Sequence, residues 1–242
     1  MDRALFAAAT GMAAQQTNLD LLSDNLANSE VAGFKASAET FAALAAPGER
    51  GVGTAAVGAH LVFTQGKLEK SNGPFDVAID GPGFFVLSDG KGRHAYTRDG
   101  EFSRAANGSL RTGEGWRLDG VRIPADALNV HAGEDGSITV TTAHGTHAIA
   151  QLRVAEFASP EHLQNIGGTM YAATSTSGRA RQIAFGTDDG PKLRFGMLER
   201  SNVSIIESMM QILAAQRAYE ANAKGVQAAD EMLRIANNLQ RG

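Results

Sequence analysis

Apolar residues recur every seven positions at both ends of this chain. In the first 28 residues the repeating positions are Leu5, Met12, Leu19 and Leu26, with Leu22 between the last two. In residues 201–241 they are Ile205, Ile212, Tyr219, Val226 and Leu233. A repeat of this length winds helices around each other in a left-handed supercoil. The pattern predicts helices at about 3–28 and 203–239 that pair as a coiled coil.

Two interpretations of these stripes compete. Both helices could lie on a sheet of their own subunit, but such helices carry a stripe with a period closer to 3.6 than to 3.5. Small residues in the stripes (Ala8, Ala215 and Ala229) would allow close helix approach. The second helix would also be roughly 50–55 Å long, which exceeds what a small β-domain needs as a cover. We therefore expect the two helices to pair and to offer surface to other copies of the chain.

The middle of the chain carries a different pattern. Between residues 60 and 200, Asp-Gly or Asn-Gly dipeptides separate short β-branched and aromatic runs. Both dipeptides tolerate the positive φ angles of tight hairpins. Residues 137–142 and 152–157 alternate with period two, as half-buried strands do. This pattern predicts an antiparallel barrel or sandwich, and the fold class expected for the whole chain is α+β.

The expected domain division follows these patterns. Residues 1–41 and 201–242 would form a terminal helical domain, and residues 60–200 a β-rich domain. The small, turn-rich stretch 42–59 is expected to be a flexible linker, with a strand starting near His60. Gly33 would stop the first helix. Ser201 or Asn202 would cap the second, with Ser204 less favoured.

Composition excludes several functions. The net charge of −4 and pI of about 5.9 are not those of a general nucleic-acid binder. The absence of cysteine removes disulfides, thiolate nucleophiles and cysteine-based metal sites. The first residues lack a basic segment followed by an apolar core, so no cleaved signal peptide is expected. Apolar runs are too short to insert into a membrane.

The residues that could carry chemistry form no strong catalytic pattern. His144 and His147 are three apart but fall at an expected hairpin tip, where exposed loop histidines are the simpler interpretation. Asp76 and Asp80 would lie about 13 Å apart on a strand, which is too far for a glycosidase carboxylate pair. A catalytic triad is not excluded by the sequence alone. We predict no catalytic site, no cofactor and no metal.

Several motifs, in order along the chain, resemble those of the bacterial flagellar basal-body rod and hook proteins. They are Asn25-Leu26-Ala27-Asn28 followed by Gly33-Phe34-Lys35, Asp76–Phe85, Tyr96–Phe102, Ser201-Asn202-Val203, and Gln216–Asn222 followed by Asp230–Leu233. Together they cover almost the whole chain, which is identified on this basis as a member of that family. Its middle region resembles the distal rod members, although the stretch between Lys35 and Asp76 is shorter than is typical of them.

This resemblance implies a structural subunit that stacks helically around a central channel and transmits torque to the hook. The implied partners are further copies of itself, other rod and hook proteins, bushing-ring proteins and the flagellar type III export apparatus. The implied location is the basal body, reached without a cleaved signal. The apolar interface residues would be Leu5, Met12, Leu19, Leu22, Leu26, Ile205, Ile212, Tyr219, Val226 and Leu233. The polar ones would be Asn25, Asn28, Gln216, Arg217 and Asn222.

Three alternatives remain open at this point. The chain could be a proximal rod or hook-type member of the same family. It could also be a β-domain enzyme with helical oligomerisation arms, which would require a deep pocket with converging titratable groups. A carbohydrate- or peptide-binding domain would require an exposed aromatic groove, yet the chain has one Trp and three Tyr.

Overall fold

The computed structural model describes residues 2–44, 53–186 and 190–239, with the backbone alone at 2, 3, 236 and 237. The chain divides into two compact units. The helical unit comprises Met1–Asn28, Ser37–His60 and Val203–Gly242, and the β unit comprises Ser29–Ala36 and Leu61–Asn202. With a helix at each end and antiparallel strands between them, the expected α+β class is confirmed.

The helical unit contains two long helices and a pair of strands. Helix α1 spans Asp2–Ala27 and helix α2 spans Ile205–Leu239, close to the predicted bounds. Strands β1 (Ser37–Leu44) and β2 (Gly53–Leu61) form a two-stranded sheet. The prediction of a flexible linker over 42–59 is therefore wrong for the described residues 42–44 and 53–59, while 45–52 lie outside them. Alanine is frequent in both strands and glycine recurs in β2, and these residues have low β-propensity. The strands therefore show no alternating apolar pattern from which they could have been predicted.

The start of α2 also differs from the prediction. Helix α2 begins at Ile205, and the backbone N–H of Glu207 donates to Ser204 Oγ at 3.4 Å. Ser204 is therefore the N-cap, and the preference for Ser201 or Asn202 is wrong. Asn202 instead contacts backbone groups of the β unit. Gly33 has the left-handed φ of 68° that a stop signal uses, but it lies six residues beyond the end of α1 at Ala27. Its N–H donates to the Glu199 carbonyl and not to α1, so the prediction that Gly33 stops this helix is wrong.

The β unit is built from short strands. They are β3 (Leu68–Lys70), β4 (Val77–Asp80), β5 (Phe84–Ser88), β6 (His94–Thr97), β7 (Ser103–Arg104), β8 (Ser109–Arg111), β9 (Arg117–Arg122), β10 (Asn129–Ala132), β11 (Ser137–Thr142), β12 (Gly145–Gln151), β13 (Arg153–Glu156), β14 (Gln164–Gly167), β15 (Met170–Ala172), β16 (Arg181–Ala184), β17 (Lys192–Phe195) and β18 (Met197–Glu199). The largest sheet has the order β14-β15-β6-β5-β9-β8-β7, and β13 joins it by pairing with both β5 and β16. Smaller sheets are β10-β11-β12, β17-β4 and β18-β3.

Strand β5 separates two apolar clusters. Phe85 belongs to the larger cluster and packs edge-on against Phe102, with ring centroids 5.5 Å apart. Phe84 belongs to the smaller cluster and packs against Phe63 at 5.1 Å. Successive side chains of a strand point to opposite faces. The run of adjacent phenylalanines therefore marks a strand that is buried on both sides.

Some predicted hairpin turns are confirmed and others are not. Gly90, Gly108 and Gly136 have φ between 75° and 83° and connect β5–β6, β7–β8 and β10–β11. In contrast, Gly120 lies within β9, and the turn at Gly81 joins strands that do not pair with each other. Residue 189 of the last dipeptide lies outside the described residues.

Candidate subunit interface

Helices α1 and α2 pack against each other in antiparallel directions. The side chain of Asn222 lies against Gly11, and a methyl group at Gly225 would lie 4.0 Å from Ala8 Cβ. Moving three residues back along α1 thus corresponds to moving three residues forward along α2. Because both helices rise 1.5 Å per residue, this register places residues 2–27 of α1 opposite 206–231 of α2.

The centre of the α2 seam is formed by small and polar residues. Ser208, Ala215 and Ala229 are buried and Asn222 is half-buried, and these four positions are seven apart. Small side chains let two helix axes approach closely, as the contact at Gly225 also shows. We did not predict these four positions as one row, because small and polar residues do not stand out in a hydrophobic pattern. The seven-residue spacing itself was the available signal.

The predicted interface residues fall into three groups in the structure. Leu22 is buried, and Leu5, Met12, Leu19, Leu26, Ile212, Val226 and Leu233 are half-buried. Ile205 and Tyr219 are exposed, as are Gln216 and Arg217. Ile205 is exposed because the register would place it opposite residue 28, just past the end of α1. The assignment of these residues to contacts between subunits stays a prediction.

Two of the predicted polar residues have partners inside the helical unit. Asn25 is buried, donates from Nδ2 to the Ser37 carbonyl at 2.7 Å and accepts from the Ser37 N–H at 2.9 Å. Asn28 donates to the Asp24 carbonyl at 2.8 Å. Asn25 therefore fixes the start of β1 against α1. Part of the α1 surface that we assigned to helix pairing is covered by the β1–β2 strands instead.

A second apolar face of α2 lies opposite the seam. Ile206, Met209, Met210 and Leu213 are between 52% and 73% exposed. Their spacing of three, four and seven residues places them together on one side of the helix. At 100° per residue this side is turned about 180° from the seam row. We call these four residues the outer patch.

Beyond the outer patch, the same side of α2 is first charged and then apolar again. Its middle carries the exposed charges Arg217, Glu220 and Lys224. Its end is apolar again, because Met232, Ile235 and Leu239 are exposed, and the register leaves residues 232–239 beyond the start of α1. Of the helices in the described ranges, none combines the length and hydropathy that a membrane span requires.

In the β unit, three charged side chains meet almost out of contact with solvent. Glu199 is 1% exposed and accepts from Lys35 Nζ at 2.5 Å and from Arg98 Nη1 at 3.1 Å. The Gly66 N–H also donates to Glu199 Oε1 at 2.8 Å. Burial lowers the pKa of Lys35 and of Arg98, while the carboxylate of Glu199 acts against that shift in both. We call these three residues the buried ion cluster.

Hydrogen bonds that involve the backbone surround the buried ion cluster. Gly33 donates its N–H to the Glu199 carbonyl at 2.7 Å. Asn202 accepts from the Ala36 N–H at 2.8 Å and donates to the Val62 carbonyl at 2.7 Å. The chain segment that follows α1 and the one that precedes α2 are thus joined side by side within the β unit. Lys35 and Arg98 lie in the motifs that carried the family resemblance, but nothing in those motifs indicated that both contact Glu199.

The β unit contains an open cavity lined partly by acidic side chains. It has a volume of about 700 Å³, and its lining includes Asp76, Asp99, Glu101 and Glu114. Among the described residues, no three histidine, aspartate or glutamate side chains are grouped as a metal site requires. His144 and His147 are exposed on the β11–β12 hairpin, as predicted.

The raised pKa of Asp99, in the lining of this cavity, can be tested through the pH dependence of the β unit's stability. The pKa of Asp99 is raised from 3.8 to about 6, mainly by burial and to a smaller extent by the neighbouring carboxylates of Glu101, Glu114 and Asp76, while the hydrogen bond from the Glu101 N–H acts against the rise. A raised carboxyl pKa means that the folded β unit binds the proton more tightly, so its stability falls as pH rises from about 4 to 6. We expect Asp99→Asn to remove this fall, worth up to about 3 kcal/mol, in urea unfolding curves followed by Trp116 fluorescence. An Asp99→Asn curve with the same slope as wild type over this pH range would contradict the prediction.

Comparison with known proteins identifies the family. Three family models match: "Flagella basal body rod protein" over residues 5–35, "Flagellar hook protein FlgE/F/G D1 domain" over 78–140, and "Flagellar basal body rod FlgEFG protein C-terminal" over 195–239. The flagellar basal-body rod protein FlgG of Borreliella burgdorferi is 36% identical over 264 aligned positions that cover all of both chains. FlgG of Bacillus subtilis is 33% identical, again over all of both chains, and FlgG of Buchnera aphidicola subsp. Schizaphis graminum is 34% identical over 97% of this chain and 98% of its own.

The chain belongs to the flagellar basal-body rod protein family. Within that family it is close to FlgG, so it is a structural protein and not an enzyme. Each of the three matched segments contributes one member of the buried ion cluster, namely Lys35, Arg98 and Glu199. The three regions by which the family is recognised therefore meet at one point of the β unit.

Proposed function

We propose that this chain is a distal rod subunit that polymerises helically through α1 and α2 into the hollow shaft connecting the flagellar motor to the hook. The observation that carries the proposal is the outer patch. An isolated subunit leaves these four large apolar side chains in water on the side of α2 that α1 does not cover. The FlgG relatives are named rod proteins, which supports further copies of the chain as the occupant of this surface.

The energetics favour burial of this patch in a polymer. Complete burial of a leucine-sized side chain contributes about 1.5–3 kcal/mol, and the patch residues have half or more of that area left to bury. A contact between different surfaces of successive subunits need not close into a ring, so it can repeat along a filament. The exposed charges of both signs at Arg217, Glu220 and Lys224 would then select one helix register among several.

The proposed partners extend beyond self-assembly. Family membership supports contacts with other rod and hook components of the basal body. We further infer that the β unit faces the bushing ring and that the flagellar type III apparatus exports the chain without a cleaved signal. A thiol-free chain suits passage through such an apparatus, because no disulfide could hold it partly folded.

Two double variants separate assembly from folding. Ile206→Asp with Leu213→Asp places charges on the outer patch, where both side chains are already exposed. We expect the helical circular dichroism signal to stay within about 10% of wild type, because surface substitutions cost little. Sedimentation should show loss of the higher-order species that wild type forms alone or on rod partners.

The matched comparison is Leu19→Asp with Ile212→Asp, which introduces the same two charges at half-buried positions of the two paired helices. This variant should lose both helical signal and assembly. A further control, Gln227→Asp, adds a charge to the polar middle of the outer side and should assemble. If the outer-patch variant polymerises as wild type does, the proposal is wrong.

A further inference from the structure

The outer patch contains two of the most exposed methionine residues of the described chain. Met209 is 52% exposed and Met210 is 59% exposed. Met170 is buried, and Met12 and Met197 are half-buried. Because the chain has no cysteine, methionine thioethers are its sulfur groups that peroxides can oxidise.

We propose that Met209 and Met210 form an oxidation-sensitive site that blocks assembly of the free subunit when it is converted to methionine sulfoxide. The proposal rests on the proposed function, because it requires that the outer patch be buried between copies of the chain. The oxidant is a peroxide, for which hydrogen peroxide is the probe. Once the patch is buried in a polymer, the same side chains are protected from it.

The reaction balances without any group supplied by the protein. The thioether sulfur attacks one peroxide oxygen, a sulfur–oxygen bond forms as the O–O bond breaks, and the departing hydroxide takes up the proton of the new S–OH group and leaves as water. Sulfur is oxidised by two electrons and the peroxide is reduced by two. The product carries a polar S–O bond that accepts hydrogen bonds, where the thioether accepted them only weakly.

This change acts on the energetics of the patch. Ile206 and Leu213 flank the two methionines, so a partner surface that suits the patch is apolar. Burial of a polar group without a hydrogen-bond partner is unfavourable, because the group loses its hydrogen bonds to water. Adjacent sulfoxides would impose this cost twice at every contact. Methionine sulfoxide reductases reverse the modification, so the block would be reversible.

The experiment compares assembly before and after treatment of the monomer with hydrogen peroxide. Peptide mass spectrometry should show Met209 and Met210 oxidised at least about tenfold faster than buried Met170. Sedimentation should show that the oxidised monomer no longer assembles, and that reductase treatment restores assembly. Preassembled protein given the same peroxide should keep Met209 and Met210 unmodified.

Two variants make the test specific. Met209→Leu with Met210→Leu keeps the apolar volume and should assemble with or without peroxide. Met232→Leu removes an equally exposed methionine outside the patch and should stay as peroxide-sensitive as wild type. The inference is overturned if monomer that carries both sulfoxides still assembles, or if the leucine double variant is blocked by peroxide. Failure of untreated wild type to assemble would instead count against the proposed function.

Discussion

Replacing Glu199 by alanine is expected to lower the free energy of unfolding of the β unit by about 3–5 kcal/mol. The substitution leaves Lys35 and Arg98 buried without their shared carboxylate, and it removes the acceptor of the Gly66 N–H. Breaking a buried ion pair from one side is costly because the remaining charge stays out of water. Urea unfolding followed by the fluorescence of Trp116, the single tryptophan of the chain, measures the loss.

The pH dependence of the stability lost in Glu199→Ala shows whether the loss comes from the unpaired charge of Lys35 or from the packing of the Glu199 side chain. Burial lowers the pKa of Lys35, and in the variant the carboxylate that opposes this shift is gone. When folding lowers the pKa of a lysine, the folded protein becomes more stable as the pH rises from the pKa in the folded state towards the pKa of 10.5 in the unfolded state. The difference between wild type and Glu199→Ala should therefore shrink as the pH is raised from 7 towards 10.5.

The β unit offers a matched control for this variant. Glu69 also contacts two cations, Lys67 at 3.1 Å and Arg200 at 3.0 Å, but its side chain is 39% exposed. Exposed ion pairs contribute little to stability because water and salt screen them, so Glu69→Ala should cost much less than Glu199→Ala. Equal losses for the two variants would show that burial of the ion cluster is not what makes Glu199 important.

The terminal helices could be predicted because their signal is local. The apolar positions from Leu5 to Leu26 and from Ile205 to Leu233 repeat along one segment at a time, so period and length give the helices directly. The antiparallel register could not be predicted, since it depends on which residues meet, such as Gly11 with Asn222. The β1–β2 strands were missed because their alanines and glycines carry no alternating pattern.

The buried ion cluster illustrates the limit of sequence reasoning more sharply. Lys35 and Glu199 are 164 positions apart, and Arg98 and Glu199 are 101 apart. Each looks like an ordinary surface charge in its own segment, because lysine, arginine and glutamate are rarely buried unless paired. Only the folded sheet brings them together. The outer patch was partly predictable, since its spacing is helical, but the sequence does not say which apolar side of α2 meets α1.

Replacing Gly33 by alanine is expected to cost the β unit about 3 kcal/mol or more. Gly33 has a φ of 68°, a left-handed conformation that costs a residue with a Cβ atom about 1–2 kcal/mol. A Cβ there would also lie 2.2 Å from the backbone nitrogen of Asp99, which cannot rotate away as a side chain could. The segment would have to move, and with it the bond from the Gly33 N–H to Glu199 and the position of Lys35.

Gly196 provides the control, because its φ of 70° is nearly the same and a Cβ there would meet nothing within 4 Å. Gly196→Ala isolates the backbone conformational cost, about 1–2 kcal/mol, and the excess loss in Gly33→Ala measures the steric contact with the Asp99 backbone. Urea unfolding of both variants at pH 7 gives this difference. Because Gly33 and Glu199 act at the same junction, Gly33→Ala combined with Glu199→Ala should destabilise by less than the sum of the single losses. Equal losses for the two glycine variants, or strict additivity in the double variant, would mean that the close approach at Gly33 does not support the buried ion cluster.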